Sequence, residues 1–125
     1  MNTYQKMRET NHQAREKLKD MGYSDIVMFP HTRFSKDVWG LFDGVCKLKT
    51  INSELFNVYW FQIKTGHIKK ARKDIEDFCM RSGEKALIIE RIPYKKRYKK
   101  KKGSYTKHKI RVTEIDLEKT SKLTN

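Results

Sequence analysis

Three polar side chains set in apolar surroundings are where this chain could do chemistry. Asp43 stands between Phe42 and Gly44 in WGLFDGV, and Gln62 and Lys64 lie two residues apart in YWFQIKTG, residues 59–66. A carboxylate packed in a strand without a partner is costly, so Asp43 should be paired, solvated or bound to a cation. Side chains alternate along a strand, so Val58, Trp60, Gln62 and Lys64 share one face and Tyr59, Phe61 and Ile63 the other. Leu41, Asp43 and Val45 likewise share a face of the preceding strand. If these strands pair, Asp43 lies beside Gln62 and Lys64. A carboxylate and an amide oxygen suit a hard cation, and the ammonium could polarise a phosphate or help deprotonate a water. Magnesium-type sites often need only one or two protein oxygens, with water and substrate phosphate completing the shell. The plainer alternative is a buried Asp43–Lys64 ion pair, with Gln62 satisfying backbone groups.

The elements that must position these residues follow from periodicity. Tyr4, Met7, Ala14, Leu18 and Met21 keep a three-four spacing, which predicts an amphipathic helix over 3–21 that Gly22 terminates in a left-handed cap. Asn11 falls on the same stripe. DIVMF, 25–29, predicts a short strand stopped by Pro30, and the linker HTRFSKD leads to a second strand over 38–48. A third strand over 58–64 is most simply the hairpin partner of the second. The spacing of Ile68, Ala71, Ile75, Phe78 and Cys79 predicts a helix over 68–80, stopped by Ser82-Gly83. ALIIERI, 86–92, predicts an apolar fourth strand. The basic stretch after it, with Gly103-Ser104, predicts an extended hairpin tip, and KIRVTEI, 109–115, a last strand. The order αβββαβ with a basic β-arm belongs to an α+β or α/β fold around a central mixed sheet. One domain over 1–117 is expected, with 91–111 as the arm and 118–125 as a flexible tail.

Charge narrows the partner. The 125 residues include 29 Lys and Arg against 15 Asp and Glu, a net +14. Residues 91–111 hold 11 of those bases and no acid, which leaves 18 bases against 15 acids elsewhere. A concentrated cationic patch with Tyr94, Tyr98 and Tyr105 interleaved suits a polyanion, since phosphate neutralisation releases counterions and aromatic faces stack on exposed bases. Such a run is also compatible with a solvated loop or a localisation signal. Cys46 and Cys79 lack C-x-x-C spacing and read as small buried apolar residues. No run of about 18 apolar residues occurs, and MNTYQKMRETNHQ carries no apolar signal region, so the expectation is an intracellular, cytoplasmic chain without a membrane span. Phosphate-loop, dinucleotide-fold, nucleophile-elbow and H-E-x-x-H motifs are lacking.

Asp43, the hairpin that follows it, and Gln62-Ile63-Lys64, set between an N-terminal helix and a basic helix, resemble the core of the PD-(D/E)XK nuclease superfamily. The chain is most similar there to archaeal-type Holliday junction resolvases and related phage or viral endonucleases, with SKDVWGLFDGV and FQIKTG carrying the likeness across roughly residues 5–91. The resemblance implies a restriction-endonuclease-like fold and hydrolysis of phosphodiesters in branched or otherwise structured DNA, such as four-way junctions. It implies Mg²⁺ or Mn²⁺ as cofactor and a homodimer. Asp43 would bind the metal, Gln62 would occupy the usual Glu/Asp position, the Ile63 backbone carbonyl would be a further ligand, and Lys64 would be the catalytic lysine. Two departures stand out. Gln62 is a neutral ligand, and Asn11 occupies the first-helix position where such resolvases place a glutamate. Glu9, Glu16 or Asp37 are the acids that could compensate.

Nucleic-acid contacts are expected from Arg33, Ser35 and Lys36 in the linker, His67 after the motif strand, Lys69, Lys70, Arg72 and Lys73 on the second helix, and Lys95, Lys96, Arg97, Lys99, Lys100, Lys101 and Lys102 on the arm. Each group has an ordinary counterpart: a solvated linker, a turn histidine, the wet face of an amphipathic helix. Trp39 and Trp60 are assigned to packing. The alternative function is a non-catalytic basic nucleic-acid-binding protein on a degenerate nuclease fold.

Overall fold

The computed structural model describes residues 3–29, 42–49, 54–66 and 68–115. The first helix, α1 (Thr3–Asp20), buries Thr10, Ala14 and Leu18, a stripe at spacing four. That stripe is narrower than the sequence spacing suggested, because Met7 and Met21 remain largely exposed. Gly22 ends the helix with φ 98°, and the Tyr23 N–H donates to the Leu18 carbonyl at 3.0 Å, closing the left-handed cap.

Five strands form one open mixed sheet in the order β1-β2-β3-β4-β5: β1 (Ser24–Met28), β2 (Gly44–Lys49), β3 (Phe56–Lys64), β4 (Lys85–Arg97) and β5 (Ser104–Glu114). With the two helices this is an α+β fold. β2 and β3 are antiparallel from Gly44↔Phe61 to Lys49↔Phe56, so the expected hairpin forms. β3 and β4 run parallel from Tyr59↔Lys85 to Lys64↔Glu90, and a parallel pair needs a crossover. The crossover is α2 (Ile68–Ser82), which Gly83 closes with φ 76° and an N–H donated to the Cys79 carbonyl at 2.8 Å.

The helices cover opposite faces of the sheet. Leu87 and Ile89 of β4 pack with Ala14 and Leu18 of α1, together with Tyr23, Cys46, Tyr59 and Phe61. Their neighbours Ala86 and Ile88 pack with Ile75 and Cys79 of α2, together with Phe42 and Ile115. β4 reads as an unbroken apolar run because it is buried on both sides. Each large side chain so buried contributes about 1.5–3 kcal/mol. Both cysteines are buried and free, and burial pushes the Cys46 thiol up to about 12 and the Cys79 thiol to about 11. Among the described residues no helix is long and apolar enough to cross a membrane.

Three strands differ from expectation. β2 begins at Gly44, so Asp43 sits in a bend ahead of the strand and not within it; the residues expected to begin that strand, 38–41, lie outside the described residues. β4 and β5 are far longer than their apolar segments, pairing antiparallel from Leu87↔Glu114 to Arg97↔Ser104. The strands therefore run on through the lysine-rich sequence, and only 98–103 form the connection.

Candidate functional site

Asp43 is held at the junction of three strands. Its N–H donates to the Phe61 carbonyl and its carbonyl accepts from the Phe29 N–H, each at 2.8 Å, while Oδ2 accepts from the Ile63 N–H at 2.6 Å. A charged acceptor on a backbone donor makes a strong, short bond, which fixes the carboxylate at the C-terminal end of β3. Gly44 follows for a steric reason. A Cβ at that position would overlap both the Phe61 ring and the Val27 carbonyl oxygen.

The carboxylate lines a groove of about 660 Å³ between α1 and the sheet. Lys6, Met7, Thr10 and Asn11 of α1 form one wall, and Met28, Phe29, Ile63, Thr65 and Gly66 the opposite rim. Arg91 and Pro93 of β4 and His108 of β5 close the end nearest the lysine-rich hairpin. Arg91 is 89 % buried by side chain, being 11 % exposed, with its Nη2 only loosely against Glu9 Oε2 at 3.8 Å. Its Nε is buried with no hydrogen-bond partner among the described residues. A buried guanidinium with an open donor favours an anion, and its planar fork matches a phosphate.

The expected trio does not meet in this groove. Asp43 and Asn11 line it; Gln62 and Lys64 do not. By alternation Gln62 and Lys64 stand on the face of Trp60, which packs with the α2-side core, whereas Ile63 packs with the α1-side core. The bend at Asp43 breaks the pleat that would have kept its carboxylate beside Gln62. Gln62 is 6 % exposed, and its Oε1 has no partner among the described residues. Lys64 is half-buried and registers with Glu90, whose carboxylate is gripped by Arg111 Nε and Nη2 at 3.2–3.3 Å.

The supporting acids separate as well. Glu9 reaches the groove end through Arg91, while Glu16 pairs with Lys19 at 3.5 Å on the exposed side of α1. Asp37, Arg33, Ser35, Lys36 and His67 lie outside the described residues. Lys69, Lys70, Arg72 and Lys73 are all exposed on α2, across the sheet from the groove, with Arg72 bonded to Glu76 at 3.1 Å. Lys95, Lys96, Arg97 and Lys99 to Lys102 are exposed on the hairpin and its connection.

A divalent cation finds a sparse donor set here. Among the described residues no three His, Cys, Asp or Glu side chains converge, and Asp43 is the only carboxylate among the groove-lining ones. Asn11 and Thr65 add neutral oxygens. One carboxylate with neutral oxygens fits a magnesium-type ion shared with a substrate phosphate, and does not fit an ion caged by protein alone. Gln62, on the other face, is not part of that set. Local sequence pattern does not mark Lys6, Arg91 and His108 as neighbours of Asp43, because only the tertiary fold brings them to it. The available signal was Arg91 itself, the single base at the end of the apolar alternation Leu87, Ile89, Arg91.

No family model, curated protein or solved structure matches the chain.

Proposed function

We propose that the chain is a metal-dependent DNA endonuclease with a restriction-endonuclease-like core, acting on branched or otherwise structured DNA. The observation that carries this is the siting of the Asp43 carboxylate in one groove with Lys6 and Arg91, at the foot of a hairpin rich in lysine. The element order and the position of Asp43 ahead of β2, facing the end of β3, support the same reading.

In this mechanism the basic hairpin holds backbone phosphates outside the cleavage point, which positions DNA without reading sequence. Arg91 and Lys6 orient one phosphate in the groove, with Glu9 near the guanidinium at 3.8 Å. Asp43, kept in one orientation by the Ile63 N–H, would hold Mg²⁺ or Mn²⁺ together with Asn11. When bound, the ion would supply Lewis-acid polarisation of the phosphate and an activated water. Gln62 and Lys64 lie on the other face of the sheet and take no part in the groove. A homodimer would present two such grooves to a symmetric junction.

A second reading is favoured by the separation of Gln62 and Lys64 from Asp43: the chain binds nucleic acid on the same fold without cutting it. Four-way junction, duplex and single-stranded DNA, each with Mg²⁺, Mn²⁺ or chelator, separate the two. The endonuclease predicts metal-dependent products that fall by roughly 100-fold or more in Asp43→Asn, with DNA affinity kept. Wild-type protein that binds all three substrates and cuts none in either metal establishes the second reading instead.

A further inference from the structure

The two faces of the β4–β5 hairpin carry different chemistry. Strand register places Tyr94 opposite Lys107 and Lys96 opposite Tyr105. These four share one face, while Pro93 and His108, which line the groove, share the other with Lys95 and Arg97. Beyond Glu90, β4 has only β5 as its neighbour among the described residues, so the hairpin leaves the sheet as a two-stranded ribbon. Its reach is roughly 20 Å at strand rise.

On the face away from the groove the aromatic rings are clustered and interleaved with cations. Tyr98 and Tyr105 have ring centroids 4.9 Å apart with planes tilted by 36°. Lys101 Nζ lies 4.3 Å from the Tyr98 centroid and Lys107 Nζ 5.8 Å from that of Tyr105. Tyr94 and Tyr98 are nonetheless 40 % and 38 % exposed. A tyrosine needed only for packing would be covered; Tyr94 and Tyr98 are exposed, Tyr105 is half-buried, and all three are interleaved with cations.

We propose that this face is a stacking platform for unpaired bases of DNA. Tyr94, Tyr98 and Tyr105 take base faces, and Lys96, Lys101 and Lys107 take the intervening phosphates. Duplex DNA offers no free base faces, so it engages the cations alone. The inference rests on the nucleic-acid part of the proposed function and is independent of cleavage.

The test is made in chelator, so that no cutting intervenes. A short single strand carrying aminopurine and a duplex of the same sequence are titrated with wild-type protein, with Tyr98→Leu/Tyr105→Leu and with Tyr98→Phe/Tyr105→Phe. Leucine keeps an apolar contact across the hairpin but not the aromatic face, and phenylalanine keeps both. Expected are aminopurine quenching by wild type, a loss of roughly tenfold or more in single-strand affinity for the leucine variant, unchanged duplex affinity, and full rescue by phenylalanine. The platform is overturned if the leucine variant holds single strands as wild type does, or if both variants lose single strand and duplex equally. Wild-type protein that binds neither DNA overturns the nucleic-acid reading as well, whereas duplex binding with no tyrosine-dependent preference removes the platform alone.

Discussion

Asp43 and Gly44 act as one unit at the residue scale. The bend sends the Asp43 carboxylate to the Ile63 N–H, and the glycine lets the Phe61 ring and the Val27 carbonyl close over the chain beside it. Gly44→Ala should therefore destabilise the protein by roughly 1–3 kcal/mol, the usual range for forcing a methyl into a packed interior. A lowered urea midpoint at unchanged slope would report it, and an unchanged midpoint would mean that the strands can part at no cost. An acid inside WGLFDGV was visible as an anomaly from residue types alone. Its orientation was not, because alternation assumes an unbroken pleat, and the bend ahead of β2 breaks it. Arg91 and His108 could not be joined to Asp43 in sequence either, since their meeting depends on the β3–β4 crossover and the β4–β5 pairing.

Elements differ in how far local pattern specifies them. The start of α2, the left-handed cap at Gly22 and the apolar half of β4 follow from spacing and side-chain type, and the structure has them there, with α2 running two residues further than its apolar spacing, to Ser82. The outer halves of β4 and β5 carry a weaker signal: Gly103-Ser104 marks a hairpin tip, but a lysine-rich run has little strand propensity to fix where the strands end. There the ladder from Arg91↔Ile110 to Arg97↔Ser104 provides the backbone partners that the side chains do not advertise. The hairpin connection also carries a prediction of its own. Replacing Lys99, Lys100, Lys101 and Lys102 with Ala should weaken DNA binding and reduce the slope of log affinity against log salt by up to about four times 0.9 for duplex. An unchanged slope would make these lysines a solvated loop. Lys101 also caps Tyr98, so part of any loss on single strands belongs to stacking rather than to charge.

For the whole molecule, the two cores on opposite sides of the sheet each enclose a thiol, Cys46 toward α1 and Cys79 toward α2. Both are neutral well past the range in which an unfolded cysteine ionises, about 8.5, because burial penalises the thiolate. A raised acid leaves stability intact below the unfolded value and removes it as pH climbs toward the folded one. Denaturant midpoints should thus hold up to about pH 8.5 and decline toward pH 10, before the lysines lose their charge. The decline should be shallower in Cys46→Ala; equal slopes would assign it elsewhere. The sheet is open, with β1 and β5 as its edges, and an exposed edge invites another strand to add to it. β1 is short and irregular in register, and β5 carries Lys107, Lys109 and Arg111, so repulsion between copies keeps that edge from joining its like. The cations suited to a polyanion therefore also disfavour edge-to-edge pairing of β5 with a second β5. A bound polyanion that neutralises them removes that repulsion, and solubility should be lowest where the two charges balance.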